Sequence, residues 1–324
     1  MTISSKPRVL IAGRVHPHVR ERVEAQFDAV SIDAADARLV AAEIADTVRA
    51  VAGVFTAGAE FIDALPRLEI IAGFGVGYDG IAAAHAASRG VIVTNTPDVL
   101  SDEVADTTIA LLINTLRELP AAERYLREGR WRKDGPYPLS RLTLRGRKVG
   151  IYGLGRIGLA VAERLEGFGV SIAYHSRNRR DDVDYAYAPS LLELARQVDT
   201  LIVIVPGGAS TEKTVNADIL QALGPDGVVI NVGRGSTIDC DALAAALKDG
   251  TTAAAGLDVF PEEPNVPQAL LDLPNISLLP HLASASVATR DAMADLAVDN
   301  LVSWFGDGRP LTPVPECAGL LKRR

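Results

Sequence analysis

Residues 149–158, V-G-I-Y-G-L-G-R-I-G, restrict this chain more than any other stretch. Val149-Gly-Ile-Tyr152 is a short apolar run of the kind that forms a buried parallel strand, and Gly153, Gly155 and Gly158 make a G-x-G-x-x-G turn after it. From Arg156 the periodicity changes: Ile157, Val161, Leu165 and Phe168 recur at three- and four-residue steps, which predicts a helix. Strand, tight turn and helix start are what a dinucleotide pyrophosphate requires. The first glycine permits the turn, the second lets backbone approach phosphate, and the third packs helix on strand. The helix N-terminus then aims unpaired N–H groups at the anion.

The chain around this turn reads as α/β throughout. Hydrophobic residues make up 48% but aromatics only 5%, a composition suited to Ala/Val/Leu/Ile-rich parallel sheets and not to an aromatic-rich sandwich. Residues 8–13, 53–56, 68–73 and 90–95 read as short strands separated by helical stretches, which predicts a first parallel sheet. Pro97 stops it. A long helix is expected over residues 102–119, followed by a polar segment, 124–147, longer than an ordinary connection and holding Trp131 and Tyr137. That segment either covers a site or reaches a partner subunit. Beyond the glycine turn, residues 170–174, 200–205, 227–232, 253–259 and 276–279 predict a second sheet. Another long helix begins near Val287, and the tail from Pro310 should return over the first domain. The expected architecture is therefore two doubly wound parallel-sheet domains, residues 1–98 with 288–324 for the first and 99–287 inserted as the second.

Charge and cysteine content narrow the partners. A net charge of −8 argues against nucleic acid or an anionic membrane surface. The two cysteines, Cys240 and Cys317, lie far apart without metal-ligand spacing, so no metal is expected and a reducing cytoplasm is the simplest setting. No apolar run approaches a signal peptide or a membrane span.

Ligands of open parallel sheets bind at the carboxyl ends of the strands. The residues left there are Gly153 and Gly155, Ser176 and Arg177, Gly207 and Gly208, Gly233 and Arg234, Asp258, and His281. An NAD site usually carries Asp or Glu about 20 residues past the glycine turn; here the chain reads Tyr174-His-Ser-Arg-Asn-Arg-Arg180. A carboxylate would repel a 2′-phosphate, whereas serine and arginine bind it, so NADPH is favoured over NADH, with Arg177 as the planar donor. Reducing a ketone needs a hydride donor, a proton donor and a cation at the carbonyl; NADPH, His281 and Arg234 fill those roles. A carboxylate beside the imidazole would hold its orientation. Spacing leaves Glu262 and Glu263 as equal candidates.

These residues bear a resemblance to the D-2-hydroxyacid dehydrogenase family, along nearly the whole chain. It is carried by Gly73-Phe-Gly-Val-Gly-Tyr-Asp79, residues 149–158, Asn231-Val-Gly-Arg-Gly-Ser236, Gly256-Leu-Asp-Val-Phe260 with Glu263-Pro264, and Pro280-His281. The resemblance implies a Rossmann cofactor domain inserted in a flavodoxin-like substrate domain. It implies Arg234 as the ligand of substrate carboxylate and keto oxygen, Glu263 as the histidine's partner, and His281 as general acid/base. It also implies Val76 and Gly77 as backbone donors to the substrate carboxylate. Implied cofactor contacts are Gly153, Leu154, Gly155, Arg156, Ile157, Gly158, Ser176, Arg177, Asn178, Val205, Pro206, Val232, Gly233, Arg234, Asp258, His281 and Ala283.

Within the family the chain is most similar to NADPH-dependent glyoxylate, hydroxypyruvate and hydroxyphenylpyruvate reductases, on Tyr-x-Ser-Arg and Leu154-Gly-Arg-Ile-Gly158. Glu263 stands where formate dehydrogenases carry glutamine, which disfavours a formate reaction. A homodimer built on the cofactor-domain helices is implied, with Trp131, Tyr137 or Leu139 reaching the neighbouring subunit's site. The reading is an NADPH-dependent reductase of small 2-keto acids. The alternatives are an NADH-linked dehydrogenase of a larger D-hydroxy acid and a non-catalytic dinucleotide-sensing module.

Overall fold

The computed structural model describes residues 6–321; the first five residues, part of the polar lead-in, and the last three of the tail lie outside them. The chain divides into two compact units. One runs to Leu100 and resumes at Ser286, and the other spans Ser101–Ala285.

In the first unit β1 (Arg8–Ala12), β2 (Asp28–Ile32), β3 (Val48–Val54), β4 (Ile70–Gly73) and β5 (Ile92–Thr94) form one parallel sheet, ordered β2-β1-β3-β4-β5. The order turns back between β1 and β3, as in flavodoxin-like sheets. Val9, Leu10, Ile11, Val51, Ile70 and Ile71 have no exposure, which is why these strands read as apolar runs and not as alternations. The helix Val287–Asp307 packs against β3 and β4, and the tail after it runs beside β5, with the Val314 N–H on Val93 O at 2.9 Å.

The second unit holds β6 (Lys148–Tyr152), β7 (Ser171–His175), β8 (Ala186–Tyr187), β9 (Thr200–Val203), β10 (Val228–Asn231), β11 (Ala254–Leu257) and β12 (Ile276–Leu278). All are parallel, in the order β12-β11-β10-β9-β6-β7-β8. Reversal between β6 and β9 is the switch point of a Rossmann sheet, and the glycine turn sits on it. No helix among the described residues is long and apolar enough to cross a membrane.

Three local features differ from the sequence expectation. The edge strands β2 and β8 have no counterpart in the sequence expectation, because none of their residues is fully buried. Strand β3 begins at Val48, five residues before the apolar run read from sequence. The segment expected as a polar connection carries two helices, Leu119–Arg127 and Arg130–Asp134. Their breaks are abrupt: Glu118 (φ 53°) and Gly129 (φ 73°) both take left-handed backbone, and Pro120 falls in the first turn, where its missing N–H costs nothing.

One buried guanidinium fastens the amino ends of the second sheet. Arg147, 7% exposed, donates from Nη2 to the carbonyls of Asp199 and Asp226, both at 2.6 Å, and pairs through Nε with the Asp199 carboxylate at 2.9 Å. Burial pulls its pKa down, and the two aspartates oppose that pull. Arg147→Met should lower the unfolding free energy by about 3–5 kcal/mol, because it strands buried acceptors at the entry to β6, β9 and β10. Urea denaturation of both proteins measures it; a loss below about 1 kcal/mol would contradict this account.

Candidate active site

The polar residues of the second unit gather at the carboxyl edge of its sheet. Gly153 has φ 104°, and a Cβ there would lie 2.7 Å from the Ile204 carbonyl oxygen, so the turn after β6 presses backbone to backbone on the segment after β9. A Cβ on Gly233 would meet the Val205 carbonyl at 2.8 Å. Gly153, Val205 and Gly233 thus form one continuous floor, with Val205 and Val232 each 8% exposed and Pro206 at the surface beside them. Above Gly155 the space is open, since a Cβ would meet nothing within 4 Å. The 11-residue helix Arg156–Glu166 starts there, and no side chain caps its N-terminus. A helix start without a side-chain cap, beside the open space at Gly155, fits a dinucleotide pyrophosphate.

Past β7 no carboxylate replaces the expected arginine. Arg177 and Asn178 are exposed, and Arg177 makes no hydrogen bond or ion pair among the described residues. Ser176 points its hydroxyl proton at Asn178 O, 2.7 Å away, so it must rotate to donate to a phosphate. The residues present fit a 2′-phosphorylated cofactor better than NAD, whose ribose hydroxyl calls for an acceptor here.

Arg234 follows β10 in a turn organised by Asn231. Asn231, 1% exposed, donates Nδ2 to Arg234 O at 2.9 Å and accepts the Gly233 N–H on Oδ1 at 3.0 Å. The Thr237 hydroxyl adds a 2.6 Å bond to the same Arg234 carbonyl. The next residue, Gly235, lies so close to Phe260 that a Cβ would fall on the Phe260 backbone. Phe260 in turn donates its N–H to Glu263 Oε1 at 3.0 Å, and Glu263 Oε2 stands 2.6 Å from His281 Nδ1. The Arg234 turn, Phe260, Glu263 and His281 are therefore links of one packed series on β10, β11 and β12, neighbours in the sheet. Glu263 and not Glu262 is the partner; Glu262 bridges to Asn265. Because a carboxylate accepts, Nδ1 of His281 carries the hydrogen, and Nε2 is left for proton exchange.

His281 has φ 50°, an unfavourable conformation for a side-chain-bearing residue, and Asp258 holds it. The Asp258 carbonyl accepts the His281 N–H at 2.8 Å; its carboxylate accepts those of Leu282 at 2.8 Å and Ala283 at 3.0 Å. Asp258 has no exposure, and burial drives its carboxyl above the ordinary range against the pull of those two N–H bonds. Asp258 thus anchors the histidine turn. Sequence reading did not single out Asn231 or Phe260, although both lie inside the motifs, because their work is done through backbone contacts that spacing does not reveal.

In the first unit the loop after β4 is pinned by Thr96, whose hydroxyl accepts the Gly75 N–H at 2.9 Å, and by Asn95, which donates Nδ2 to Val76 O at 2.9 Å. Among the described residues the N–H groups of Val76 and Gly77 donate to nothing, leaving two neighbouring donors for an anion. The Phe74 ring beside them stacks on His16 at 5.9 Å and takes Phe55 edge-on at 5.5 Å. Both cysteines are free, and burial holds both thiols above their ordinary range, so neither is an activated nucleophile.

Comparison with known proteins follows the same lines. Residues 109–283 match the NAD binding domain of the D-isomer specific 2-hydroxyacid dehydrogenases. The chain is 47% identical over 272 residues to a hydroxyphenylpyruvate reductase of Plectranthus scutellarioides, covering 83% of this chain and 86% of that protein. It is 45% identical over 271 residues to a glyoxylate/hydroxypyruvate reductase A of Arabidopsis thaliana, with coverage of 83% and 86%. Among solved structures it resembles an NADPH-dependent glyoxylate/hydroxypyruvate reductase of Sinorhizobium meliloti, in complex with NADP and malonate. The TM-score is 0.95 at 60% identity, over 97% of this chain and 98% of that one.

An amide at position 258 offers one acceptor oxygen to two N–H groups. Asp258→Asn should therefore cost about 1–3 kcal/mol of stability and lower kcat about tenfold or more while the protein still folds. Thermal denaturation and steady-state kinetics test it; a variant with normal kcat would show that the turn does not need the carboxylate.

Proposed function

Since the chain belongs to the D-isomer specific 2-hydroxyacid dehydrogenase family, we propose that it reduces small 2-keto acids, glyoxylate and hydroxypyruvate foremost, with NADPH. The observation that carries this reading is the 2.6 Å pairing of His281 Nδ1, after β12, with Glu263, in the loop after β11, the strand next to the one that carries the Arg234 turn. Bound NADPH supplies the hydride. His281 gives its Nε2 proton to the keto oxygen, since Nδ1–H is committed to Glu263, and Glu263 keeps the ring in that tautomer and orientation. Arg234 places a permanent positive charge where negative charge develops on that oxygen and grips the carboxylate. The unpaired N–H groups of Val76 and Gly77 are assigned to the substrate carboxylate, and Arg177 to the 2′-phosphate.

We further assign the protein to the cytoplasm, supported by its two free thiols, and to a homodimer built on the Leu119–Arg127 and Arg130–Asp134 helices. That region exposes Leu119 (44%), Leu126 (54%), Trp131 (62%) and Leu139 (99%), more apolar surface than isolated side chains explain. Of the three residues considered for the neighbouring site, Tyr137 is engaged at home: its hydroxyl donates to Glu118 at 2.9 Å and its ring packs edge-on against Tyr125. Leu139 has the freest side chain to offer.

His281→Gln and Arg234→Ala should each reduce turnover of glyoxylate and hydroxypyruvate by about 10²–10⁴-fold while calorimetry shows NADPH still bound; near-normal turnover in either variant rejects the assignment. For the assembly, sedimentation of a Leu126→Glu/Trp131→Glu double variant should show dissociation of a wild-type dimer, and a wild-type monomer would dispose of that part of the reading.

A further inference from the structure

The loop that follows β7 is tied to the glycine turn by a second arginine. Arg180 donates Nη1 to the carbonyl of Leu154, inside the G-x-G-x-x-G turn, at 3.3 Å. Its Nε meets Asp182 Oδ1 at 2.9 Å, and its Nη2 the other carboxylate oxygen. Its backbone is held as well: the Arg180 N–H donates to the Tyr174 hydroxyl at 2.8 Å, and that hydroxyl donates to Arg180 O at 3.3 Å. Tyr174 has no exposure to solvent, so this anchor belongs to the core of the sheet and not to a surface loop. Arg180 is thus joined to the end of β7 and to the turn after β6, the two places where a dinucleotide's anionic groups are expected.

We propose that Arg180 is a positioning residue for NADPH, a strut that fixes the spacing between the 2′-phosphate loop (Ser176, Arg177, Asn178) and the pyrophosphate turn. The inference rests on the NADPH reading above. The two phosphate groups lie at a set separation within one molecule, so a ligand carrying both gains from two sites held at a single spacing beforehand. An exposed ion pair such as Arg180–Asp182 adds little to stability, and folding alone does not account for a guanidinium whose fork spans a carboxylate and a turn carbonyl. Asp182 aims that fork, since it occupies Nε and Nη2 side by side and leaves Nη1 directed at Leu154.

A strut and a simple attractive charge make opposite predictions. Calorimetric titration of the full-length protein with 2′,5′-ADP and with 5′-AMP separates them. For Arg180→Ala the affinity for 2′,5′-ADP should fall about tenfold or more, while that for 5′-AMP changes less than about twofold. Arg180→Lys keeps the charge but cannot span both partners, and should stay as weak as the alanine variant. Asp182→Asn removes a negative charge yet releases the fork, so a strut predicts weaker binding of 2′,5′-ADP. Tighter binding in Asp182→Asn, restoration by Arg180→Lys, or no change in Arg180→Ala would each overturn the proposal. Arg177→Ala serves as the reference for direct loss of a phosphate ligand. Should the wild-type protein itself fail to prefer 2′,5′-ADP over 5′-AMP, the NADPH reading falls and the strut with it; a wild-type preference that the Arg180 variants leave intact removes the strut alone.

Discussion

Asp258 carries an ionisable carboxyl into a place with no solvent, and what it does there orders the His281 side of the second unit. An ionisable carboxyl at that depth is costly unless its oxygens are satisfied. Two N–H groups from the turn that follows β12 satisfy them, and the same residue's carbonyl takes a third. The turn is thereby forced through left-handed backbone at His281. The imidazole is placed from behind by Asp258 and from the side by Glu263, so neither its position nor its tautomer is left to the substrate. Asn231 does for Arg234 what Asp258 does for His281: a buried side chain at the end of one strand spends its hydrogen bonds on the loop that displays the reactive group. Preorganisation of this kind is what lets charges stabilise a developing oxyanion without rearranging during the reaction.

The other half of the edge works on backbone contact. Gly153 and Gly233 flank the segment after β9 at distances that no side chain tolerates, which keeps the floor flat beneath a cofactor. The opening at Gly155, where a helix starts without a side-chain cap, and the Ser176-Arg177 pair that follows β7 where an NAD site carries a carboxylate together favour one ligand class, a dinucleotide with an extra phosphate on its ribose.

Much of this was legible in the chain. Parallel strands buried on both faces produce continuous apolar runs, so β6, β9 and β10 stand out, and the residues just after them fall at the carboxyl edge, where ligands of open parallel sheets bind. Glycines at 153, 155 and 158, Arg234 and His281 were readable because each follows closely on a strand, whereas spacing left Glu262 and Glu263 open and only the family resemblance pointed to Glu263. What escaped had physical reasons. Strand β2 lies at an edge, half-wet, without an apolar run to mark it. The helices at 119–127 and 130–134 are short, charged and bounded by left-handed residues, so the segment reads as a polar connection and not as one long helix. The work of Asn231, Phe260 and Asp258 passes through main-chain atoms, on which sequence spacing is silent. The Arg180 bridge was hidden within a run of basic residues that reads as a solvated loop.

The tail of the chain bears on how such molecules behave in crowded solution. Residues 312–314 lie antiparallel along β5, with bonds from Asn95 N to Thr312 O and from Val314 N to Val93 O, and Pro313 opposite Thr94. An open parallel sheet ends in a row of unsatisfied donors and acceptors that will template a stray strand. Here that row is already taken, and the covering segment presents a proline, which has no N–H with which to extend the ladder outward. Residues 312–314 thus act as a stopper against runaway sheet growth, a duty separate from chemistry.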